Sequence, residues 1–181
     1  MTSATSYSST QKLLHWSLFF LVVLLYALTY GEDLLPRGDP TVGVIWRLHI
    51  SFGLLLAGLV LWRVVLRGLR GAPGLPDEML APERAAAKIG HLVLYALLIA
   101  IPILGILLTW FRGDALSFFG LFTVPAPFAP DRPTARTIRE LHSLCANGIL
   151  IAAGLHALAA LYHHFVRQDA ILTRMLPKGT K

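Results

Sequence analysis

Residues 141–166 read LHSLCANGILIAAGLHALAALYHHFV and carry four of the chain's seven histidines. At a rise of ~1.5 Å and a turn of ~100° per residue, the 14-residue step from His142 to His156 covers ~21 Å and falls about 40° short of four full turns. The two imidazoles therefore leave nearly the same face of one helix. Continued at intervals of seven, the seam reads His142, Ile149, His156 and His163, with alanine at 146, 153 and 160 between them. That face offers a nitrogen ligand at two levels with only methyl groups between, room for two flat plates stacked along the helix axis. A lone histidine on an apolar helix is ordinarily a satisfied core residue. Inside a run long enough to cross a bilayer, an ionisable side chain is costly and usually functional, so partner histidines at matching depths would make these two ligands.

The composition places the chain in a membrane. Of 181 residues 55% are hydrophobic and 14% charged, and the mean hydropathy is +0.63. Four stretches approach or exceed the ~20 apolar residues that span a bilayer: about 12–30, 42–66, 89–111 and 139–167. The expected fold is all-α, a single integral membrane domain over 1–181 built as a four-helix bundle. The net charge of +6 lies in the connections rather than on one soluble face, so it points to topology and anionic lipid and not to nucleic acid. Cys145 is alone, which excludes a disulfide or a thiolate cluster within the chain.

Taken in order, residues 1–10 form a polar Ser/Thr tail without the basic cluster of a cleaved signal peptide. His15 lies about one turn inside the first span, beside Trp16, a candidate interface anchor. In the second span Arg47 and Arg63 bracket an apolar core opened by His49, with Gly53 and Ala57 on the same face. Residues 69–88 read as a loop. The third span begins with His91 and contains Pro102, which predicts a kink. Residues 112–140 read as the longest connection, with a basic finish of Arg132, Arg136 and Arg139.

Lys and Arg number ten on the side of the termini and six on the other, Lys178 and Lys181 among the ten. This bias predicts both termini in the cytoplasm. Depth then pairs His15 with His156 on the cytoplasmic side and His49 with His142 on the periplasmic side. Zinc or non-haem iron would need further ligands at each level, and the apolar cores hold none. Two lone imidazoles per level suit a macrocycle that brings its own four nitrogens. Without a Cys-x-x-Cys-His motif, two b-type haems stacked across the bilayer are expected.

The segments LLHWSLFF, RLHISFG, GHLVLYALLIAIPILG, ELHSLCANG and GLHALAALYHHF together resemble the bacterial cytochrome b561 family. The likeness runs from about residue 8 to 177. It is nearest to the small four-helix dihaem members that oxidise superoxide and reduce ubiquinone in the bacterial inner membrane. The resemblance implies haem ligands on helices one, two and four, here His15, His49, His142 and His156. It also implies superoxide oxidation on the periplasmic side and electron passage through two bis-histidine haems to ubiquinone. The alternative from another class is a haem b anchor subunit of a membrane dehydrogenase or hydrogenase, fed by a redox partner protein. A homodimer is compatible with either.

The remaining polar residues supply candidates for substrate handling. His163 is on the ligand seam two turns beyond His156. It is either an interfacial histidine or a proton donor to quinone, and the resemblance favours the second. His91 lies at the depth of His15; it either replaces His15 as a ligand or borders the same quinone pocket. Arg139 shares the face of His142, and with Arg132 and Arg136 offers a cationic entrance for a small anion, against the plainer reading of a solvated loop. Arg47, Arg63, Lys12 and Arg167 are the basic residues available to haem propionates.

Overall fold

The computed structural model describes residues 6–76 and 79–177, so the expectations for residues 1–5 and for Lys178 and Lys181 lie outside them. Four long helices dominate: α1 Ser9–Glu32, α2 Thr41–Arg70, α3 Ala81–Phe111 and α4 Arg132–Phe165, with a small hairpin of β1 Leu116–Phe118 and β2 Phe122–Val124 between α3 and α4. Each helix is long and apolar enough to cross a membrane. The chain is an all-α membrane bundle, with the first and last described residues at one end and the hairpin at the other.

The helices outrun the apolar runs that announced them, because a helix continues past the hydrocarbon wherever its ends are capped. At the start of α1, Ser8 Oγ accepts the Gln11 N–H at 3.3 Å and Gln11 Oε1 accepts the Ser8 N–H at 3.1 Å, a reciprocal cap of a kind that contributes about 1 kcal/mol. Residues 81–88, expected in a loop, form the first turns of α3, where Glu83 Oε2 accepts the Leu80 N–H at 2.9 Å. The largest difference is at α4, which starts at Arg132 rather than at 139. Asp131 caps it, accepting from Thr134 N and Oγ1, and Pro133 fits the first turn, where its missing N–H costs nothing. Arg132, Arg136 and Arg139 are therefore helical residues, not loop residues.

Two close helix pairs, α1 with α2 and α3 with α4, make the bundle, and no Cα of α1 comes within 8 Å of one of α4 among the described residues. Apolar packing is concentrated between α1 and α2, where Leu18, Leu56 and Val60 are buried together. The space between α1 and α4 is a slot crossed by side chains rather than a filled core. Ala146, Ala153 and Ala160 of the seam are only half-buried.

The segment after α4 folds beneath the helix ends. Lys12 Nζ donates to the Leu176 carbonyl at 2.7 Å, Trp16 Nε1 to that of Met175 at 3.1 Å, and Arg174 Nη1 to that of Gly74 at 2.7 Å. Lys12 is thereby 93% buried, its exposure only 7%. The hairpin was also not foreseen. Its β-turn carries Phe119 at φ 49° and Gly120 at φ 73°. The left-handed region costs a side-chain-bearing residue such as Phe about 1 kcal/mol.

Candidate functional site

Side chains from three helices meet across the slot at two levels. Toward the hairpin end, His49 and His142 face each other with ring centroids 6.4 Å apart and planes at 67°. Toward the terminal end, His15 and His156 do the same at 6.3 Å and 74°. Two imidazoles on opposite sides of one metal are separated by two metal–nitrogen bonds of ~2.0 Å plus two nitrogen-to-centroid distances of ~1.1 Å, about 6.2 Å in total. Both pairs match that spacing. His91 also reaches the terminal-end cluster, but its ring is 5.3 Å from His156 at 64°, about 1 Å too close for such an arrangement.

No three of His, Cys, Asp and Glu form a metal-binding group among the described residues. Each pair offers two nitrogens in a slot lined by small residues, the donor set that a haem completes with its own four.

At the hairpin-end pair the second ring nitrogens are committed. His142 Nδ1 lies 3.0 Å from the Ile101 carbonyl, which can only accept, so Nδ1 carries the proton. His49 Nδ1 lies 3.4 Å from Thr29 Oγ1, whose own hydrogen goes to the Leu25 carbonyl at 3.0 Å. Both rings are thus held in the tautomer that leaves Nε2 for a metal. Gly105 makes the approach of His142 possible: a Cβ there would meet His142 Cε1 at 3.3 Å.

Around this pair lies a cavity of about 750 Å³, lined by residues that include Arg47, His49, Gly53, Ala146 and His142. Beside it is a second cleft of about 440 Å³, lined by Leu108, Arg112, Asp114, Arg132, Ala135, Arg136 and Arg139. The two share Leu108, Arg112, Asp114 and Arg139, so the cleft opens beside the histidine pair. Arg132, Arg136 and Arg139 come together as expected. Arg112, at the C-terminal end of α3, joins them; nothing in the sequence announced that α3 ends against the first turns of α4. Asp114 pairs with Arg112 at 3.3 Å and Glu140 with Arg136 at 3.4 Å. Arg132 and Arg139 have no ion-pair partner among the described residues.

At the opposite end, His163 is 91% buried, 9% exposed, and its Nδ1 lies 2.5 Å from Asp169 Oδ2. Asp169 is a residue that sequence reasoning missed, because it meets His163 only when the chain turns back after α4. Partial burial would raise its pKa, but the Ile171 N–H, His163 and the Arg167 charge together hold it below the ordinary carboxylate value. The stability this carboxylate contributes is therefore present above the ordinary Asp range and is lost as pH falls through the lowered value.

Of the basic residues offered to propionates, Lys12 is engaged by the C-terminal segment, and Arg167 pairs with Glu83 at 3.7 Å. Arg63 donates to the Gln11 carbonyl at 3.2 Å and lies over the Tyr95 ring. Arg47 lines the cavity and has no ion-pair partner among the described residues.

A family model described as prokaryotic cytochrome b561 matches residues 6–178. Cytochrome b561 homolog 1 of Escherichia coli (strain K12) is 30% identical, over 95% of this chain and 97% of its own length. Probable superoxide oxidase CybB of Yersinia pestis is 34% identical over 95% and 96%. Cytochrome b562 of Cereibacter sphaeroides is 31% identical over 97% and 98%. Membrane-length helices and a prokaryotic family fit a bacterial inner-membrane protein in contact with lipid. With a family match that leaves out only the extreme ends, and relatives covered almost end to end, the chain belongs to the prokaryotic cytochrome b561 family, membrane proteins of haem b electron transfer.

Proposed function

We propose that the protein is a superoxide:quinone oxidoreductase that takes electrons from superoxide at the hairpin end and delivers them to ubiquinone at the terminal end. The hairpin end is then periplasmic and both termini are cytoplasmic. His49 and His142 would hold one haem b, and His15 and His156 a second. When bound, two haems supply one-electron redox centres at two depths. Two superoxide anions each give up one electron and leave as O2. Ubiquinone takes up the two electrons and two protons to become ubiquinol.

The observation that carries this reading is the position of the arginine cleft, which adjoins one imidazole pair and not the other. Four guanidiniums against two carboxylates, Asp114 and Glu140, leave that mouth with a positive potential, which concentrates a small diffusing anion at the place where it must react. The relative named a probable superoxide oxidase supports the same substrate. At the other end the buried His163, steadied through Nδ1 by Asp169, keeps Nε2 for proton transfer to a reduced quinone oxygen. From α3, His91, 5.3 Å from His156 by ring centroid, would border the same quinone site.

The test is purified, haem-loaded protein with an enzymatic superoxide source and a short-chain ubiquinone. One ubiquinol per two superoxide consumed, with no other protein added, is the expected result. Reduction that appears only when a dehydrogenase is docked would instead mark an anchor subunit. A charge reversal tests the cleft: Arg132→Glu with Arg139→Glu should slow superoxide-driven turnover roughly tenfold or more at low salt. The deficit should shrink as ionic strength rises, and electron entry from the quinol side should be unchanged. A salt-independent deficit would remove electrostatic steering from the account.

A further inference from the structure

We propose that the hairpin is a re-entrant element: its loop, Phe119–Leu121, sits in the acyl chains of the adjacent leaflet instead of standing in water above the membrane. The depth of its attachment points there. On α2, Arg47 and Arg63 bound an apolar stretch of ~24 Å. Ser51 lies ~6 Å inside the Arg47 level and ~3 Å beyond His49 along the helix. The hairpin is fastened at that residue. Ser51 is 2% exposed; its Oγ accepts the Phe119 N–H at 2.9 Å and lies 3.0 Å from the Ser117 carbonyl. One residue on, the Phe52 ring meets Phe119 edge-on at 5.0 Å.

Backbone near the acyl chains is favoured where its polar groups are satisfied within the protein, and the hairpin satisfies several of its own. Its strands pair with each other, Leu116 opposite Val124 and Phe118 opposite Phe122. The Leu121 N–H donates to the Phe118 carbonyl at 2.9 Å, and Ser51 takes the inner edge. The return to α4 runs through Pro125, Pro127 and Pro130, which have no N–H to leave unpaired.

The outward surface has the matching chemistry. Leu121 is 78% exposed and Phe122 55%, an apolar pair that water would penalise. Behind it, β1 packs against α2 and α3. On the inner side Leu116 is buried and lines the cavity around His49 and His142. The hairpin thus closes one flank of that cavity against lipid. The left-handed Phe119 is held by the Ser51 hydrogen bond and the Phe52 ring. The inference stands whichever way the chain faces and whatever its substrate.

An environment-sensitive fluorophore placed by Leu121→Cys, in a Cys145→Ala background, decides the matter in vesicles of phosphatidylethanolamine and phosphatidylglycerol. Leu121 is 78% exposed, so the label displaces little packing. Haem absorbance checks that the protein is intact. Bromine on the acyl chains should quench the label about as strongly as one at Leu150, which is lipid-facing within α4, while aqueous iodide should quench it several-fold less than a label at Arg37. Strong iodide quenching without bromolipid quenching would overturn the proposal. So would protection from both quenchers, which would mean that a second copy or another protein covers the loop.

Discussion

Replacement of His142 by alanine is expected to lower bound haem from two groups per chain to one in a pyridine haemochrome assay, and to cut superoxide-driven quinone reduction by ~100-fold or more. Loss of an outer-shell partner alone typically costs 10- to 100-fold in metal affinity or activity, and this change removes one of the two nitrogens that the protein offers at that level. Helix α4 should survive, because alanine is the best helix former and the site is only half-buried in the bundle. The terminal-end pair should stay loaded, since His156 lies ~21 Å along the helix. Retention of both haems would refute the assignment of His142. Loss of both would show that the two levels fill as one unit.

The second large effect separates His15 from His91. His15→Ala should remove the terminal-end haem and with it quinone reduction, whereas His91→Ala should leave two haems per chain and a low-spin bis-imidazole spectrum. The basis is spacing. His15 stands 6.3 Å from His156 by ring centroid and His91 only 5.3 Å, and a metal with a ligand on each side needs about 6 Å. If His91→Ala empties the site and His15→Ala does not, the two residues exchange roles. Haem stoichiometry on the two purified variants reads this directly.

Much of the architecture is legible in the sequence. Four apolar runs of bilayer length announced four helices, because hydrocarbon leaves few ways to satisfy a backbone. The heptad-spaced seam on α4 put His142 and His156 on one face, and depth counting paired them with His49 and His15. The ends of the helices were less legible. Hydropathy marks where lipid stops, whereas a helix ends at its cap. Asp131-Arg132-Pro133 carries a capping signal for the start of α4, seven residues before the apolar boundary at 139. The hairpin was missed because three-residue strands in a proline-rich connection carry almost no periodic signal.

The histidine spacing and the long apolar runs alone determined the class of the protein and two levels of histidines within a membrane. Both are local consequences of helix geometry and of the cost of polar groups in lipid. Tertiary structure alone decided what meets across sequence distance: Arg112 with the α4 arginines, Asp169 with His163, Ser51 with the hairpin, and both His15 and His91 with His156. These depend on how one helix pair sits against the other and on where the chain turns back. No periodicity within a single segment encodes that.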